Sequence, residues 1–375
     1  MTGRSDWSGL RPVLERFCLD GTPTGHDLLP GGHIHRNVLV TCPKARYVVQ
    51  RVNDRIFSPV GLVLTTGERV SAHLAARGRR GPELVPTTTG ALSLRDGEGS
   101  TWRCFRFLEG TVGRTVPTGT DDAYRAAAAL ADYVTAVSDL PGPPLVPAIT
   151  PFHGLDHRLQ GLGAVTHEDP VGRRSAVVDD IDHVRRLAAE IGDALSAVEA
   201  RSGRGRTRTV HNDAKLANVR FAVDGRSGDC VIDLDTTMVG LVRYDVGEMV
   251  RTATTFAPEE GGATPVGYHL EMVAAVAGGY LSAGPDIDGA DLESFALAGP
   301  EMAVENAVRF LTDYLDGDHY FSRQRPTENL ERCRAQVRLA ETLLAHQAET
   351  DASFRHVWRR LGRQERAPTI ATSGP

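Results

Sequence analysis

The sequence predicts an α+β fold in which a small, mostly antiparallel sheet precedes a larger, mostly helical part. Short apolar runs separated by turn residues fill the first ~110 positions, and two of these runs have the spacing of a hairpin. Longer stretches with apolar residues at helical spacing dominate the rest of the 375-residue chain. A chain of this length can bury one large core or two medium ones.

The first part of the chain begins with a predicted helix over residues 1–20, where Leu10, Leu14 and Phe17 recur at helical spacing. A glycine-rich turn at 29–35 leads into a strand–turn–strand pattern, with Lys44 at the tip of the predicted hairpin. Pro59 predicts a helix start, because proline is tolerated in the first helical turn. The predicted strands are 37–40, 47–52, 84–86 and 102–107, and the helix runs from 59 through 74.

The pattern changes after Gly110. An alanine-rich helix is predicted over 122–137, and the prolines between 141 and 151 disfavour regular structure. A long helix follows over 179–199, and two strand-like pieces at 218–221 and 230–232 precede a mostly helical region from about 265 to 360. The residues after 363 are typical of a disordered tail.

Composition excludes several functional classes. A net charge of −6, with arginines interspersed among acids, argues against a nucleic-acid-binding body. The best apolar stretch, 272–283, is too short to span a membrane, and the first residues lack the apolar core of a signal peptide. The five scattered cysteines are typical of reduced thiols. We therefore expect a cytoplasmic protein without nucleic-acid or membrane partners.

The basic residues are almost all arginine. Lys44 and Lys215 are the only two lysines among 42 basic residues. Any chemical step that requires a lysine therefore has only two candidates.

The strongest chemical signal is an H-x-D-x₄-N pattern formed by His211, Asp213 and Asn218, followed by an apolar strand that ends at Asp233. Phosphoryl transfer needs a carboxylate that orients the attacking hydroxyl, and oxygen ligands for the magnesium that bridges nucleotide phosphates. An Asp with an Asn five residues on, and a second Asp at a strand end, supplies these parts. Asp and Asn also cap turns, so the interpretation depends equally on the apolar strand and on the sheet-then-helices order.

Two longer runs, HNDAKLANVRF at 211–221 and VIDLDTTMVGLVRYDVGEMVR at 231–251, resemble the aminoglycoside phosphotransferase superfamily, and within it kinases of the N-acetylhexosamine 1-kinase type. Further similar segments are GHI at 32–34, YVVQRVN at 47–53 and RFLTDYLDGD at 309–318. The resemblance extends over about residues 20–350. It implies a two-lobed, protein-kinase-like fold, with a nucleotide-binding lobe (1–110), a catalytic and acceptor-binding lobe (111–363) and a disordered tail (364–375).

The activity that this resemblance implies is ATP-dependent phosphorylation of a small-molecule hydroxyl, with ATP and Mg²⁺ as cofactors. The expected acceptor is a sugar, an amino sugar or a cyclitol, and for an N-acetylhexosamine the anomeric 1-hydroxyl is the plausible position. We expect a monomer or a homodimer.

The resemblance also assigns roles within the catalytic loop. Asp213 is expected to be the catalytic base and His211 to support the loop. Lys215 is expected to offset charge on the transferred phosphoryl group, the alternative being an ordinary solvated lysine. The expected metal residues are Asn218 and Asp233, with Asp235 as a supporting or additional group. The segment 244–251 is expected to act as scaffold.

Further residues are expected around the nucleotide and the acceptor. The phosphate-covering turn is assigned to four residues, because missing side chains let backbone N–H groups approach oxygen; they are Gly31, Gly32, His33 and Ile34. Glu109 is a further cofactor-binding candidate. The candidate acceptor contacts besides Asp213 are Arg309, Thr236, His35 and Asp313. Arg309 and Asp313 stand four residues apart, so an intrahelical ion pair is the alternative interpretation.

The sequence departs from the family pattern in two places. The strand that normally holds the phosphate-pairing lysine has Gln50 and Arg51, of which alternation lets only one face the nucleotide. Arg51 carries the required charge, with Glu68 as a candidate partner. The segment 32–36 reads Gly-His-Ile-His-Arg where related hexosamine kinases have Gly-His-Ile-Asn-Asp, which leaves the acceptor open.

Two rival functions follow from these observations. An aminoglycoside phosphotransferase requires an anionic pocket, which the acids at 313–318 would supply and Arg309 opposes. A catalytically inactive binding module would explain the missing strand lysine, but not the retention of the catalytic aspartate and both metal residues. We also predict no metal site at His153 and His157, whose H-x₃-H spacing lies beside prolines without further ligands.

Overall fold

The computed structural model describes residues 7–29, 34–54, 56–57, 59–225, 228–255, 267–323 and 325–362. It has the predicted two-lobed α+β architecture, with an antiparallel sheet early in the chain and a helical second lobe. Gly31, Gly32 and His33 of the expected phosphate-covering turn lie outside the described residues, as does the tail 364–375. The lobe boundary at residue 110 stays a prediction.

The first lobe is a five-stranded antiparallel sheet with two helices, in the strand order β1-β2-β3-β5-β4. Lys44 lies in the turn between β2 and β3, as predicted. The elements are α1 (Trp7–Leu14), β1 (Gly25–Leu28), β2 (Arg36–Thr41), β3 (Arg46–Arg51), α2 (Val60–Ala76), β4 (Leu94–Arg95) and β5 (Thr101–Arg106).

Alternation along β3 decides which side chains reach the second lobe. Tyr47 and Val49 are fully buried in the core that the sheet shares with α1. Gln50 points to the opposite face, where it is also buried, and Arg51 at the strand end is exposed. The face of the sheet that turns toward the second lobe therefore presents Gln50 and not Arg51.

In its described residues, the second lobe has a three-stranded sheet in the order β6-β8-β9, a two-stranded ribbon of β7 and β10, and eight helices. Its strands are β6 (Thr111–Gly113), β7 (Thr207–Val210), β8 (Val219–Ala222), β9 (Cys230–Val231) and β10 (Met238–Leu241). Its helices are α3 (Thr120–Val137), α4 (Leu155–Glu168), α5 (Val178–Ser202), α6 (Val242–Ala253), α7 (Leu270–Ala283), α8 (Gly289–Asp316), α9 (Glu328–Ala345) and α10 (Gln347–Arg360).

The 28-residue helix α8 is the centre of the second lobe and packs against α4, α5, α6, α9 and α10. Its start is fixed by a capping box, in which the Asp288 carboxylate accepts from the Asp291 N–H and the Asp291 carboxylate accepts in return. Helix α6 approaches α8 closely at Gly247, where a Cβ atom would collide with the carbonyl group of Ala298. None of the helices in the described ranges is apolar over enough turns to cross a membrane.

Helix α4 is the main element that the sequence did not reveal. It follows the proline-rich stretch, and Leu162 is its only buried side chain. A helix with a single buried position leaves almost no apolar periodicity to detect. It nevertheless packs beside α8 and brings Arg158 within 3.7 Å of Glu305 on that helix.

Candidate active site

The catalytic loop, residues 211–218, connects β7 to β8 and is hydrogen-bonded to helix α6. Both oxygens of the buried Asp245 carboxylate accept backbone hydrogen bonds, from the N–H of His211 at 2.9 Å and of Asn212 at 2.7 Å. Burial raises the pKa of Asp245, and these bonds oppose the shift. The segment 244–251 therefore has the scaffold role expected from the sequence.

A left-handed residue shapes this loop, which borders the cleft, as we call the region where the first lobe meets the segment 211–236. Asn212 has φ of +63°, a conformation that asparagine tolerates better than most residues. Its side-chain amide donates to the carbonyl oxygen of Thr236 at 3.0 Å, and the Thr236 hydroxyl donates to the carbonyl oxygen of His211 at 2.7 Å. Thr236 is buried, and both of these hydrogen bonds stabilise the loop. Its expected contact with the acceptor is therefore not supported.

His211 is fully buried, and both of its ring nitrogens are used by backbone groups. Nδ1 accepts from the N–H of Asp213 at 3.2 Å, so Nε2 carries the proton that it donates to the carbonyl oxygen of Ile232 at 3.0 Å. The ring thus links the catalytic loop to the segment that leads into Asp233. This geometry agrees with a supporting role and leaves no nitrogen for substrate.

Asp213 projects into the cleft with its side chain 25% exposed. Its Oδ2 lies 2.9 Å from the ammonium nitrogen of Lys215 and accepts a hydrogen bond of 2.9 Å from the Asn218 amide. Burial would raise the pKa of Asp213, but the charge and hydrogen bond of Lys215 outweigh it and lower the pKa to about 2. The carboxylate is therefore ionised throughout the physiological range.

Asn218 and Asp233 are brought together by the pairing of β8 with β9. Val219 pairs with Val231, and the N–H of Ile232 donates to the carbonyl oxygen of Asn218 at 2.9 Å. Asp233 then adopts φ of +61° and is exposed to the cleft. The pKa of Asp233 is raised by burial and by the nearby carboxylates of Asp235 and Asp213. A bound cation would lower this pKa again.

The atoms of Asn218 and Asp233 that are available to bind a metal are oxygens. The amide of Asn218 is turned so that its nitrogen contacts Asp213, and its oxygen accepts no hydrogen bond from the part of the chain described. A carboxylate and an amide oxygen beside each other are ligands that Mg²⁺ prefers, and it usually completes its shell with water and substrate phosphate. Asn218 and Asp233 therefore fit the metal-binding role expected of them.

Asp235 has a different environment from Asp233, although His35, Asp233 and Asp235 offer ligand atoms within 4.8 Å of one another. Arg103 donates to both oxygens of Asp235, NH1 to Oδ1 at 2.8 Å and NH2 to Oδ2 at 2.6 Å. Burial would raise the pKa of Asp235, but the Arg103 charge lowers it well below its usual range. Because Asp235 is neutralised by Arg103, the structure favours a supporting role over the metal ligation also considered for it.

His35 contacts Asp235 from the other side. Its Nδ1 accepts from the N–H of Asn53 at 3.1 Å, so Nε2 donates to Asp235 Oδ2 at 3.0 Å, and the ring stacks on Phe57. Both nitrogens are occupied in a buried position. The expected contact between His35 and the acceptor is therefore not supported. The neighbouring Ile34 uses its carbonyl oxygen to accept from the Asn53 side chain at 3.3 Å.

The cation that faces the cleft from the first lobe comes from β5. Arg103 pairs in register with Gln50 of β3, and its Nε donates to Gln50 Oε1 at 2.6 Å. Arg51 points away from this group and is exposed, and so is Glu68 on α2. The expectation that Arg51 replaces the missing lysine is thus not supported, because alternation directs Gln50 and not Arg51 into the cleft. A buried arginine in an apolar strand was the signal that sequence reasoning missed.

Glu109 lies in the segment between β5 and β6 that joins the lobes. Its exposed carboxylate accepts a bidentate contact from Arg46, with Nε at 2.9 Å, and its carbonyl oxygen accepts from Arg80 at 2.8 Å. Its expected role in cofactor binding stays a prediction.

Arg309 and Asp313 do not form the intrahelical ion pair that their spacing allows. The Asp313 carboxylate accepts from the backbone N–H groups of residues 319, 320 and 321 at 2.7–3.0 Å and from the Asn329 amide at 2.9 Å. It is 5% exposed. Asp313 therefore shapes the loop after α8, and its expected contact with the acceptor is not supported. Arg309 is partly exposed.

His153 supports the catalytic loop, a role that sequence reasoning missed. It donates from Nε2 to the carbonyl oxygen of Asn212 at 2.7 Å, and Nδ1 contacts Glu305 of α8 at 2.8 Å. Burial would lower the pKa of His153, but the Glu305 carboxylate raises it, so the ring is an imidazolium that donates from both nitrogens. His157, the other histidine of the H-x₃-H spacing, is exposed.

The comparisons with known proteins agree with this geometry. A sequence model of the phosphotransferase enzyme family matches residues 27–269. A spectinomycin phosphotransferase in complex with ADP and spectinomycin has a similar fold, with a TM-score of 0.59 and 12% identity over 91% of this chain and 98% of its own. A microcompartment-associated aminopropanol kinase is similar at a TM-score of 0.57 and 17% identity, over 91% and 98% of the two chains.

An aminoglycoside phosphotransferase from Alicyclobacillus acidocaldarius has a TM-score of 0.54 and 14% identity, over 96% of this chain and 99% of its own. At such identities the structures share the fold, and the family match covers more than half of the chain. As the motifs predicted, this protein belongs to the phosphotransferase enzyme family.

Proposed function

We propose that the protein is an ATP-dependent small-molecule kinase that transfers the γ-phosphoryl group of ATP to a hydroxyl of a sugar or sugar-like acceptor. The observation that carries the proposal is the convergence of Asp213, Asn218 and Asp233 at one point of the cleft. These are the carboxylate and the oxygen ligands that phosphoryl transfer requires. The acceptor considered is an N-acetylhexosamine, with the anomeric 1-hydroxyl as one position, or a cyclitol.

Asn218 and Asp233 would hold magnesium in this proposal. When bound, Mg²⁺ neutralises charge on the phosphate oxygens and aligns the transferred group. The Asn218 amide has a second task, since its Nδ2 fixes the Asp213 carboxylate through two contacts at 2.8 and 2.9 Å. The same side chain therefore couples the position of the metal to that of the base.

Asp213 would accept a hydrogen bond from the acceptor hydroxyl and orient its oxygen toward the phosphorus atom. With a pKa of about 2, the carboxylate is a weak base. Phosphoryl transfer through a loose transition state needs little proton removal before the new bond forms. Asp213 would therefore act mainly by orientation and would take the proton late in the reaction.

Lys215 would place a positive charge beside the attacking oxygen. Its ammonium nitrogen is 2.9 Å from Asp213 Oδ2, and its side chain is 21% exposed at the cleft. A cation at this position counters the charge that develops on the transferred group. This is the role that the position in the loop predicted, and it explains why the lysine lies here although the phosphate-pairing strand has none.

The surroundings of the acids at 313–318 do not favour aminoglycoside phosphorylation. Asp313 is occupied by backbone N–H groups, and Asp318 is fully buried and paired with Arg173 at 2.6 Å and Arg323 at 3.3 Å. Two of the acids that would attract a polycation are therefore neutralised within the fold.

A screen of acceptors tests the proposed function directly. ADP formation is measured with hexoses, N-acetylhexosamines, cyclitols and aminoglycosides, and phosphorus NMR identifies the phosphomonoester formed. Turnover of a neutral or acidic sugar or a cyclitol would support the proposal. Turnover confined to cationic antibiotics would contradict the choice of acceptor.

A thermal-shift titration with ATP separates an enzyme from an inactive binding module. A nucleotide that binds through magnesium on Asn218 and Asp233 stabilises the fold more when the metal is present. Stabilisation by ATP that does not depend on magnesium, in wild type and in Asp233→Asn alike, would favour the binding module.

A further inference from the structure

Two arginines, Arg158 of α4 and Arg309 of α8, lie around Glu305. Arg309 follows Glu305 by one turn of α8 and donates from Nη1 to Asn306 Oδ1 at 3.2 Å and from Nη2 to the Tyr320 hydroxyl at 3.5 Å, and its guanidinium lies 5.3 Å from the ring centroid of Phe321. The Nε atom of Arg158 lies 3.7 Å from the Glu305 carboxylate, and its Nη2 donates to the carbonyl oxygen of Phe152. Burial and then the charge of Arg309 lower the pKa of Arg158, in agreement with this placement.

A short chain of contacts connects this pair to the catalytic aspartate. Glu305, one helical turn before Arg309, contacts His153, which in turn donates to the carbonyl oxygen of Asn212, the residue before Asp213. Burial lowers the pKa of Arg309, and Tyr320, Glu305 and then Asp213 outweigh it. The contacts through Glu305 and His153 place the arginine pair beside the loop that carries Asp213.

The charges in this group do not balance. Within the described ranges, Glu305 is the one carboxylate in ion-pair distance of the group, 2.8 Å from His153 Nδ1 and 3.7 Å from Arg158 Nε. Arg309 forms no ion pair with any carboxylate of the described residues, and its two hydrogen bonds go to the neutral groups of Asn306 and Tyr320. Three cations thus share a single anion.

An ordinary structural role does not account for this arrangement. The buried arginines Arg103 and Arg243 have carboxylate partners, Asp235 at 2.6 Å and Glu301 at 2.9 Å, whereas the half-buried Arg309 has none among the described residues. An uncompensated cation in a partly desolvated position is unfavourable unless an anion joins it. The planar guanidinium forks of two arginines suit a carboxylate or a phosphate, which accept paired N–H donors.

We propose that Arg158 and Arg309 form an anion-binding subsite for the acceptor, so that the molecule phosphorylated carries a carboxylate or a phosphate group in addition to its reacting hydroxyl. The proposal rests on the proposed function and specifies its substrate class. It also predicts discrimination against polycationic acceptors, since a cationic group at the subsite would meet two like charges.

Matched acceptors that differ in charge test the subsite. Acceptor-dependent ADP formation is compared for glucose, glucuronate, glucose 6-phosphate and glucosamine, together with the N-acetylhexosamine counterparts. We expect kcat/KM to be higher by about tenfold or more for an anionic member than for its neutral counterpart, and lowest for the cationic member. A preference for glucuronate identifies a carboxylate as the recognised group, and a preference for the phosphate ester identifies a phosphate.

Variants connect the preference to the two side chains. Arg309→Gln and Arg158→Gln should each raise KM for the anionic acceptor about 10- to 100-fold and leave KM for the neutral counterpart within about threefold. Arg309→Lys should recover part of the loss, because it restores the charge without the fork. Arg186→Gln, at an exposed position of α5, is the matched control.

The outcomes separate this proposal from the proposed function. Preference for neutral or cationic acceptors, or an anionic preference that both glutamine variants retain, would overturn the subsite while phosphorylation stands. Absence of acceptor-dependent ADP formation would count against the proposed function.

If no acceptor-dependent ADP formation is found, calorimetric titration of inorganic phosphate and of glucuronate into the AMP-PNP-saturated protein still tests whether the arginine pair binds anions. Binding to wild type that Arg309→Gln abolishes supports it, and absence of binding to wild type overturns it.

Discussion

Arg103 of β5 and Asp235 of the second lobe form a bidentate ion pair at 2.8 and 2.6 Å, with both side chains 3% exposed. The pair joins the small sheet to the segment that carries Asp233, two residues earlier. Arg103 is also bonded to Gln50 of β3, the strand in which the family pattern has a lysine. The position of the metal-binding aspartate is thus tied to the sheet through an arginine on another strand.

Removing Arg103 should impair both stability and nucleotide binding. Arg103→Met leaves the Asp235 charge buried with His35 as its remaining partner, and breaking such a pair costs about 3–5 kcal/mol. We expect that loss in the free energy of unfolding measured with urea, and a rise of about tenfold or more in KM for ATP.

Arg51→Met is the matched control for Arg103, since this arginine is exposed at the end of the neighbouring strand. For Arg51→Met, KM for ATP should stay within about twofold of wild type, and the free energy of unfolding within about 0.5 kcal/mol. A larger effect of Arg51→Met than of Arg103→Met would contradict the assignment. Adding Asp235→Asn to Arg103→Met should recover part of the lost stability, because the unpaired charge is then removed.

The two lysines allow a clean comparison of a catalytic and a surface position. Lys215→Ala removes the ammonium group 2.9 Å from Asp213 and should lower kcat by about 100-fold with little change in unfolding free energy. Lys44→Ala, at the turn between β2 and β3, should leave kcat unchanged. Steady-state kinetics on both variants checks this, and equal kcat values would exclude Lys215 from the reaction.

The pH dependence of stability should reveal the His153–Glu305 pair. Burial would raise the pKa of Glu305, but His153 and Arg158 lower it to about 2, below its ordinary value of 4.5. The stabilisation by this carboxylate is therefore complete above about pH 4.5 and is lost as the pH falls toward 2. His153, whose pKa is raised above 6.5, contributes fully below pH 6.5 and loses its contribution as the pH rises through its raised pKa.

Urea unfolding of wild type and Glu305→Gln between pH 3 and pH 9 measures this effect. The difference in unfolding free energy should be about 3 kcal/mol near pH 6 and should shrink on both sides of that pH. The exposed His183–Glu341 contact at 2.8 Å provides the control Glu341→Gln, which should change stability by less than about 0.5 kcal/mol. A difference for Glu305→Gln that is constant over this range would contradict the ionic pairing.

Two glycines in helices should respond to alanine with opposite signs. Gly247→Ala places a Cβ atom against the Ala298 carbonyl group and should destabilise the fold by about 1–3 kcal/mol. Gly192→Ala in α5 meets no atom within 4 Å and should stabilise by about 0.5–1 kcal/mol, since alanine has less freedom to lose on folding. Urea unfolding of both variants measures these changes. Equal effects would mean that α6 and α8 are not in close contact.

Regular elements with a strong apolar period were predictable. The β2–β3 hairpin, the alanine-rich α3 and the long α5 lie within two or three residues of their predicted bounds. The apolar periodicity of α4 is too weak to predict a helix, because this helix buries only Leu162. Its existence depends on packing against α8, which a local pattern does not encode.

The candidate site was predictable where its residues are close in sequence. Asp213 and Asn218 are five residues apart, and Asp233 follows the strand that pairs beside them. Arg103 and Asp235 are 132 residues apart and meet because of the way the lobes pack. The acceptor contacts expected of Asp313 and Thr236 are not supported for a related reason. Both side chains are hydrogen-bonded to backbone groups that the fold brings to them, and no local sequence pattern encodes these contacts.

The most direct test of the account is the rate of phosphomonoester formation by Asp213→Asn with the acceptor that the screen identifies. We predict a fall in kcat of about 10³-fold or more, with Kd for ATP within about threefold of wild type, because the amide preserves shape but cannot accept the proton. Asp182→Asn, at an exposed position of α5, should be unaffected. A rate for Asp213→Asn within about tenfold of wild type would contradict the assignment of this carboxylate and the mechanism built on it.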